Sequence, residues 1–187
     1  MAILLLALTC AAQTKLIPAE ANIRFSEQLS NGPAGNCGCF VMEGAGGDFA
    51  WTLHRYGVEH LAPLSAVADV SAEHTGSVDG APYGLTLTTF AAGPRIALPA
   101  GKSAVFAQSL FGITHGSGSE FPESNGLAAS ANSFALDLGS GIDYPLIKPI
   151  SLRLLQIEYL RTSLPNDADN WQNNLRLSAG LTIRFAH

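Results

Sequence analysis

The chain has 187 residues, enough for one domain, with a formal net charge of −5. Apolar residues make up 47% but charged ones only 13%, about half the roughly 25% usual in soluble domains. No apolar run of about 18 or more residues follows the N-terminal region and no Lys/Arg cluster is present, which excludes a helical membrane span and argues against nucleic acid as a partner.

The chain opens with AILLLALTCAAQ, an apolar stretch from Ala2 to Ala12 that ends in small residues before Gln13. It reads as the core and cleavage region of a secretory signal peptide over residues 1–12, although no Lys or Arg precedes it, which fits either a true translation start further upstream or a weak signal. A short buried helix is the alternative. Cys10 follows Thr9 and lies three residues after Ala7, which does not fit a lipoprotein signal. In the run NGPAGNCGCF, Cys37 and Cys39 stand too close for a metal site without further ligands. In an oxidising compartment they could close a small strained disulfide across Gly38; the alternative is two unpaired loop thiols.

From residue 21 to residue 185 the chain divides into eight alternating segments, each ended by turn residues. They are Ala21–Leu29, Phe40–Leu53, Leu64–His74, Tyr83–Ile96, Ser103–His115, Asn132–Tyr144, Ile150–Arg161 and Trp171–Phe185. A tilted barrel strand needs about 9–11 residues to cross hydrocarbon, and these segments match that length. The links Gly32–Cys39, Thr75–Pro82, Gly116–Ala131 and Thr162–Asn170 are long and rich in Gly, Ser, Asn, Asp and Pro. Leu98–Lys102 and Pro145–Pro149 are short. Long loops on one side and tight turns on the other describe an outer-membrane barrel whose termini lie at the periplasmic, tight-turn side. The link Arg55–Pro63 is longer than that scheme wants. The fold expected is an all-β, closed, eight-stranded antiparallel up-and-down transmembrane β-barrel, in which closure pairs every strand edge.

The sixth strand sets Phe134, Leu136, Leu138, Ile142 and Tyr144 on one face and Ala135, Asp137, Gly139, Gly141 and Asp143 on the other. In the seventh, Ile150, Leu152 and Leu154 alternate with Ser151 and Arg153, but the apolar positions then become Leu155, Ile157 and Tyr159. That change of parity predicts a β-bulge between Leu154 and Leu155. In the last strand Leu175, Leu177, Ala179, Leu181, Ile183 and Phe185 are apolar and the intervening residues are polar or small. Aromatics fall near segment ends, at Phe40, Trp51, Tyr56, Tyr83, Phe111, Tyr144, Tyr159, Trp171 and Phe185, as expected of two interfacial girdles.

GNCGCF (35–40), GPR (93–95), FAQSLFG (106–112), SANSFALDLGSGIDY (130–144) and QNNLRLSAGLTIRF (172–185) give the chain its family likeness. It resembles the small outer-membrane barrels of the OmpA/OmpX type, and in particular the porin-family "outer membrane protein β-barrel domain" proteins of Gram-negative bacteria. The resemblance implies a location in the cell outer membrane and this fold, with no single activity. It also implies that Leu177, Ala179, Leu181, Ile183 and Phe185 form the signal read by the barrel-assembly machinery. The chain departs from the pattern by carrying Ala186 and His187 after the terminal aromatic.

Seven charges fall on inward faces: Asp69, Asp137, Asp143, Arg153, Glu158, Arg176 and Arg184. An eight-stranded barrel is just wide enough to be filled by side chains, and buried charges persist only when paired. A salt-bridge network plugging the lumen is therefore expected, with Arg153, Arg176 and Arg184 facing acids on the sixth and seventh strands. A narrow polar pore for small solutes lined by the same residues is the competing reading. A hydrolytic rim site would draw on Glu73, His74 and the run from His115 to Glu120, but neighbours in sequence seldom form a triad. A soluble lipocalin-like barrel would reverse the faces and needs outward charges the segments lack. His54 and His60 near a turn read as solvated. No cofactor, metal or catalytic residue is expected. The partners expected are outer-membrane lipid and the assembly machinery, with external contacts made by the Gly116–Ala131 and Cys37/Cys39 loops.

Overall fold

A computed structural model describes residues 19–31, 39–56, 62–78, 82, 84–124, 126–166 and 170–185. The signal-peptide reading, Cys37, Tyr83 and His60 lie outside these residues. Eight strands follow in chain order: β1 (Ala19–Asn31), β2 (Cys39–Tyr56), β3 (Ala62–Thr75), β4 (Leu85–Ala100), β5 (Ser103–Glu123), β6 (Gly126–Ile147), β7 (Ile150–Thr162) and β8 (Gln172–Phe185). Each pairs antiparallel with its sequence neighbours, and β1 pairs with β8 from Ala19↔Phe185 to Ser30↔Asn174, which closes the ring. The eight expected segments are these eight strands, each longer at one or both ends or nearly unchanged.

The faces follow the alternation. On β1, Ile23, Phe25 and Leu29 point outward, with Phe25 81% exposed, while Asn22, Arg24, Ser26 and Gln28 point inward and are buried. On β8, Leu175, Leu177, Leu181, Ile183 and Phe185 are exposed, and Asn174, Arg176, Ser178 and Thr182 are buried. Apolar outside and polar inside is an inverted partition, which water does not stabilise and hydrocarbon does.

The partition reverts at the end that carries the long loops. There Leu85 and Leu87 of β4 point inward, while Thr86, paired with His74, and Thr88, paired with His115, point outward. This is the pattern of a sheet in water, so the hydrocarbon boundary lies below this level. The segment Gly116–Ala131 is not the open loop its Gly/Ser content suggests. β5 and β6 continue through it as a hairpin, with Phe121 opposite Ala128 and Glu123 opposite Gly126. The ladder shifts register between Ser117 and Phe121 and resumes to the tip, and Phe121 anchors the hairpin by packing inward.

A bulge interrupts β7 where parity changes. Ile142 pairs with Leu155 but Asp143 with Arg153, so Leu154 is the extra residue, and both Leu154 and Leu155 face outward. A second shift, between Thr52 and His54, accommodates the irregular end of β2.

Tight curvature has its own sequence requirement on β5. A Cβ on Gly112 would lie 1.9 Å from the Phe90 carbonyl oxygen of β4, contact with backbone that cannot rotate away. Gly112→Val is expected to destabilise the barrel by about 1–3 kcal/mol, the usual cost of overpacking. Urea midpoints in lipid vesicles would measure it, and an unchanged midpoint would contradict the close approach.

Candidate functional site: the filled lumen

The lumen holds four guanidiniums, of Arg24, Arg95, Arg153 and Arg176, and six carboxylates, of Asp48, Asp69, Glu73, Asp137, Asp143 and Glu158. All are at most 5% exposed. Alternation places them: each stands at an inward position of its strand, and the barrel radius brings opposite walls within side-chain reach.

Towards the end that carries the tight turns, Asp48 of β2 accepts from Arg95 of β4 at 2.8 Å and from Arg153 of β7 at 2.7 Å. Arg153 also holds Asp143 of β6 at 2.9 Å through Nε. Both guanidiniums lie over the Phe106 ring of β5, with their carbons 4.6 and 4.4 Å from its centroid. Stacking on an aromatic face suits the planar guanidinium, where the five donors leave in the plane.

Further up, Arg176 of β8 is the hub. It donates to Glu158 of β7 at 2.9 Å, to Glu73 of β3 at 3.1 Å, and to Asp137 of β6 and Ser71 of β3. Arg24 of β1 pairs with Asp69 of β3 at 2.8 Å and lies 3.6 Å from Asp48. Gln108 of β5 joins the two tiers: its amide oxygen accepts from Arg95 at 2.7 and 2.9 Å, and its amide nitrogen donates to Glu158 at 3.2 Å. Every one of the eight strands contributes at least one member.

Above the charges lies an apolar layer of Met42, Leu85, Leu87, Phe121 and Leu164, with Phe40, Val78 and Ala131 packed against it. Phe121 comes from the β5–β6 hairpin and Leu164 from the β7–β8 connection. Both pack inward at the long-loop end.

Six of the seven sequence-predicted lumen charges are in this network: Asp69, Asp137, Asp143, Arg153, Glu158 and Arg176. Arg184 is not. Its strand position faces inward, but it stands at the mouth, 43% exposed, with Glu20 at 3.4 Å as its partner. Arg153 takes Asp143 of β6, and Arg176 takes Asp137 of β6 and Glu158 of β7, on the strands expected. Each also takes an acid from across the lumen, Asp48 of β2 and Glu73 of β3, and Arg184 alone departs, taking Glu20 of β1. Sequence reasoning passed over Arg24, Asp48, Glu73, Arg95 and Gln108. The signal for Glu73 was available, since it shares the parity of Asp69 and Ser71.

Among the described side chains the candidate rim triad is not assembled. Glu73 points into the lumen, whereas adjacent His74 points outward, with Nδ1 3.0 Å from Thr86 Oγ1. His115 Nδ1 lies 2.8 Å from Asn132 Oδ1, also on the outer wall. Cys39 is exposed at the start of β2. Leu177, Leu181, Ile183 and Phe185 form an exposed outward row on β8, with Ala179 between them. Of the expected girdle, Trp51, Phe111, Tyr144, Tyr159, Trp171 and Phe185 are exposed on the outside, and the Arg161 guanidinium stacks on Trp171 at 3.9 Å. Phe40 instead turns inward to the apolar layer.

No family model and no curated protein matches the sequence. Solved structures do. Neisserial surface protein A superposes with a TM-score of 0.65 at 11% identity, over 89% of this chain and 97% of that one. Ail, the attachment invasion locus protein of Yersinia pestis, superposes with a TM-score of 0.59 at 13% identity, over 90% of this chain and 99% of that one. At such identities the likeness is one of fold, and the fold of this chain is that of the small eight-stranded outer-membrane β-barrels.

Proposed function

We propose that the chain is an integral outer-membrane protein with a structural or surface-interaction role, no catalytic activity and a closed lumen. One observation supports this above all: charges from seven strands and Gln108 of β5 meet in one hydrogen-bonded network inside the barrel, beneath an apolar layer at one mouth. The inverted partition of the wall supports lipid as the solvent of the outer face. The chain termini and tight turns would then lie on the periplasmic side and the hairpin on the cell surface. The β5–β6 hairpin overshoots β4 and β7, whose ladders with it end at Ser117↔Thr86 and Ala135↔Thr162. Among the described residues it therefore presents the most prominent surface for an external partner. The exposed row on β8 supports its reading as the assembly signal.

Refolded into detergent, the protein should migrate differently on SDS gels before and after boiling, because a closed barrel resists SDS until heated. In planar bilayers the same preparation should show no steady conductance steps. Regular steps abolished by changing Arg153 or Asp137 would overturn the plug in favour of a narrow passive pore. A single unshifted band from a water-soluble fraction would overturn the membrane reading itself.

A further inference from the structure

We propose that the outer wall at the long-loop end is a lateral contact between copies of this chain, in which Arg161 of one copy docks on Glu27 and Glu43 of the next. Glu27 of β1 and Glu43 of β2 stand directly opposite each other in the ladder, and both point outward and are exposed. Glu27 lies between Phe25 and Leu29 on its own strand and opposite Leu177 of β8, three exposed apolar side chains. Like charges directly opposite one another are destabilising, and a carboxylate on a lipid-facing wall is costly. Among the described residues neither carboxylate has an ion-pair partner. His74, opposite Glu43, turns its Nδ1 to Thr86 Oγ1 instead. The chain has ten Lys and Arg residues. Four guanidiniums are in the lumen, while Arg55, Lys102, Lys148 and Arg184 stand at the tight-turn end. Lys15 precedes β1 and lies outside the described residues. Among the described residues, Arg161 of β7 is the only cation left for the outer wall at the long-loop end.

Arg161 matches the acid pair in charge and in height. Its face stacks on Trp171 at 3.9 Å, which leaves the donors in the guanidinium plane. Its Nε has no hydrogen-bond partner, and no described carboxylate pairs with it. The row of paired residues through Glu27 climbs towards the long loops by way of Glu43 and His74. In the other direction it descends through Leu177 to Ile157, as tilted strands require. Arg161 stands two outward positions above Ile157 on β7. With about 5 Å between strands, about 3.3 Å per residue and a tilt of roughly 40°, that rise offsets the descent and sets Arg161 within about 4 Å of the height of the acids. Within one copy the two patches lie about a third of the circumference apart and do not meet. Between copies standing upright in one membrane they do. Patches on different faces make a head-to-tail contact, which repeats into rows or rings rather than closing as a two-fold pair. Beneath the acids the wall is hollowed into a groove of about 470 Å³, lined by Phe25, Leu155, Leu177 and Ala179. The groove receives the stem of the incoming arginine and the Tyr159 ring below it, and the forked guanidinium suits two carboxylates side by side. The shared upright orientation rests on the outer-membrane reading above.

The test refolds the full-length chain into phosphatidylcholine vesicles free of divalent cations. Donor- and acceptor-labelled copies are expected to show energy transfer at dilutions where chance encounters give none. Transfer should fall by roughly fivefold or more in R161E and in E27K/E43K, and return in the variant that carries all three changes. In R161K a carbodiimide should link position 161 to Glu27 or Glu43, in bands at multiples of the monomer mass. Unboiled gel mobility checks that each variant remains folded, and the glutamine variants R161Q and E27Q/E43Q replace any charge reversal that does not. Folded, heat-shifted barrels without transfer, or transfer that R161E leaves unchanged, would overturn the contact while leaving the membrane reading standing. Transfer that appears only with added calcium and survives R161E would also overturn it, by assigning the carboxylates to a metal ion bridged to lipid. Protein recovered in water without a heat shift would overturn the membrane reading and the contact with it.

Discussion

Replacing Arg176 with methionine should cost the barrel about 3–5 kcal/mol, the largest loss expected of any single lumen substitution. The guanidinium is fully buried and holds Glu73, Asp137 and Glu158 together. Removing it leaves three carboxylates in a space without solvent, and uncompensated buried charge of this kind carries that cost. The pairs themselves contribute much less, because the desolvation of both partners offsets most of their attraction. The same reasoning therefore expects rescue: adding E73Q, D137N and E158Q to R176M should recover most of the loss. Urea unfolding from lipid vesicles, followed through Trp51 and Trp171, would measure both. A loss below about 1 kcal/mol for R176M, or a quadruple variant no better than the single one, would show that the network is not the electrostatic unit its geometry describes.

The second large effect belongs to the outer wall and depends on depth. Leu181 of β8 is exposed in the apolar band, between Ile23 of β1 and Leu152 of β7. Leu181→Arg should destabilise the protein in a bilayer by roughly 2–4 kcal/mol. Leu175, on the same face of the same strand, lies beside Tyr159 near the polar boundary, and there the substitution should cost only about 0–1 kcal/mol. A barrel in water would accept arginine equally well at both positions. Equal and small losses would thus return the chain to the soluble ligand-binding class, with every face reassigned.

Strand number, strand order and face assignment were legible because a period of two survives in almost every segment. The bulge was legible for the same reason: a lapse in a strict pattern is itself a signal. The β5–β6 hairpin was not, since GSGSEFPESNG has loop composition and only ladder pairing and the inward contact of Phe121 make it a strand pair. The apolar layer was hidden by the assumption that inward means polar throughout, whereas Leu85 and Leu87 stand where the solvent outside has changed to water. In the lumen, parity identified members better than partners. Arg24 shares the parity of Asn22 and Ser26 and could have been counted. Asp48 sits in a glycine-rich stretch, GAGGDF, whose faces composition does not mark. That Arg153 would reach Asp48, 105 residues away in sequence, follows from barrel diameter and stagger, which no local pattern contains.

The extra residue at Leu154 also bears on how such chains should be compared. Below it β7 counts its lipid positions on even numbers and above it on odd ones, so two barrels that differ only by this insertion share a structure but not a reading frame of faces. A gapless alignment between them would match Glu158 with a lipid-facing aliphatic residue and Ile157 with a lumen charge over half a strand. Placing a one-residue gap at Leu154 restores like against like.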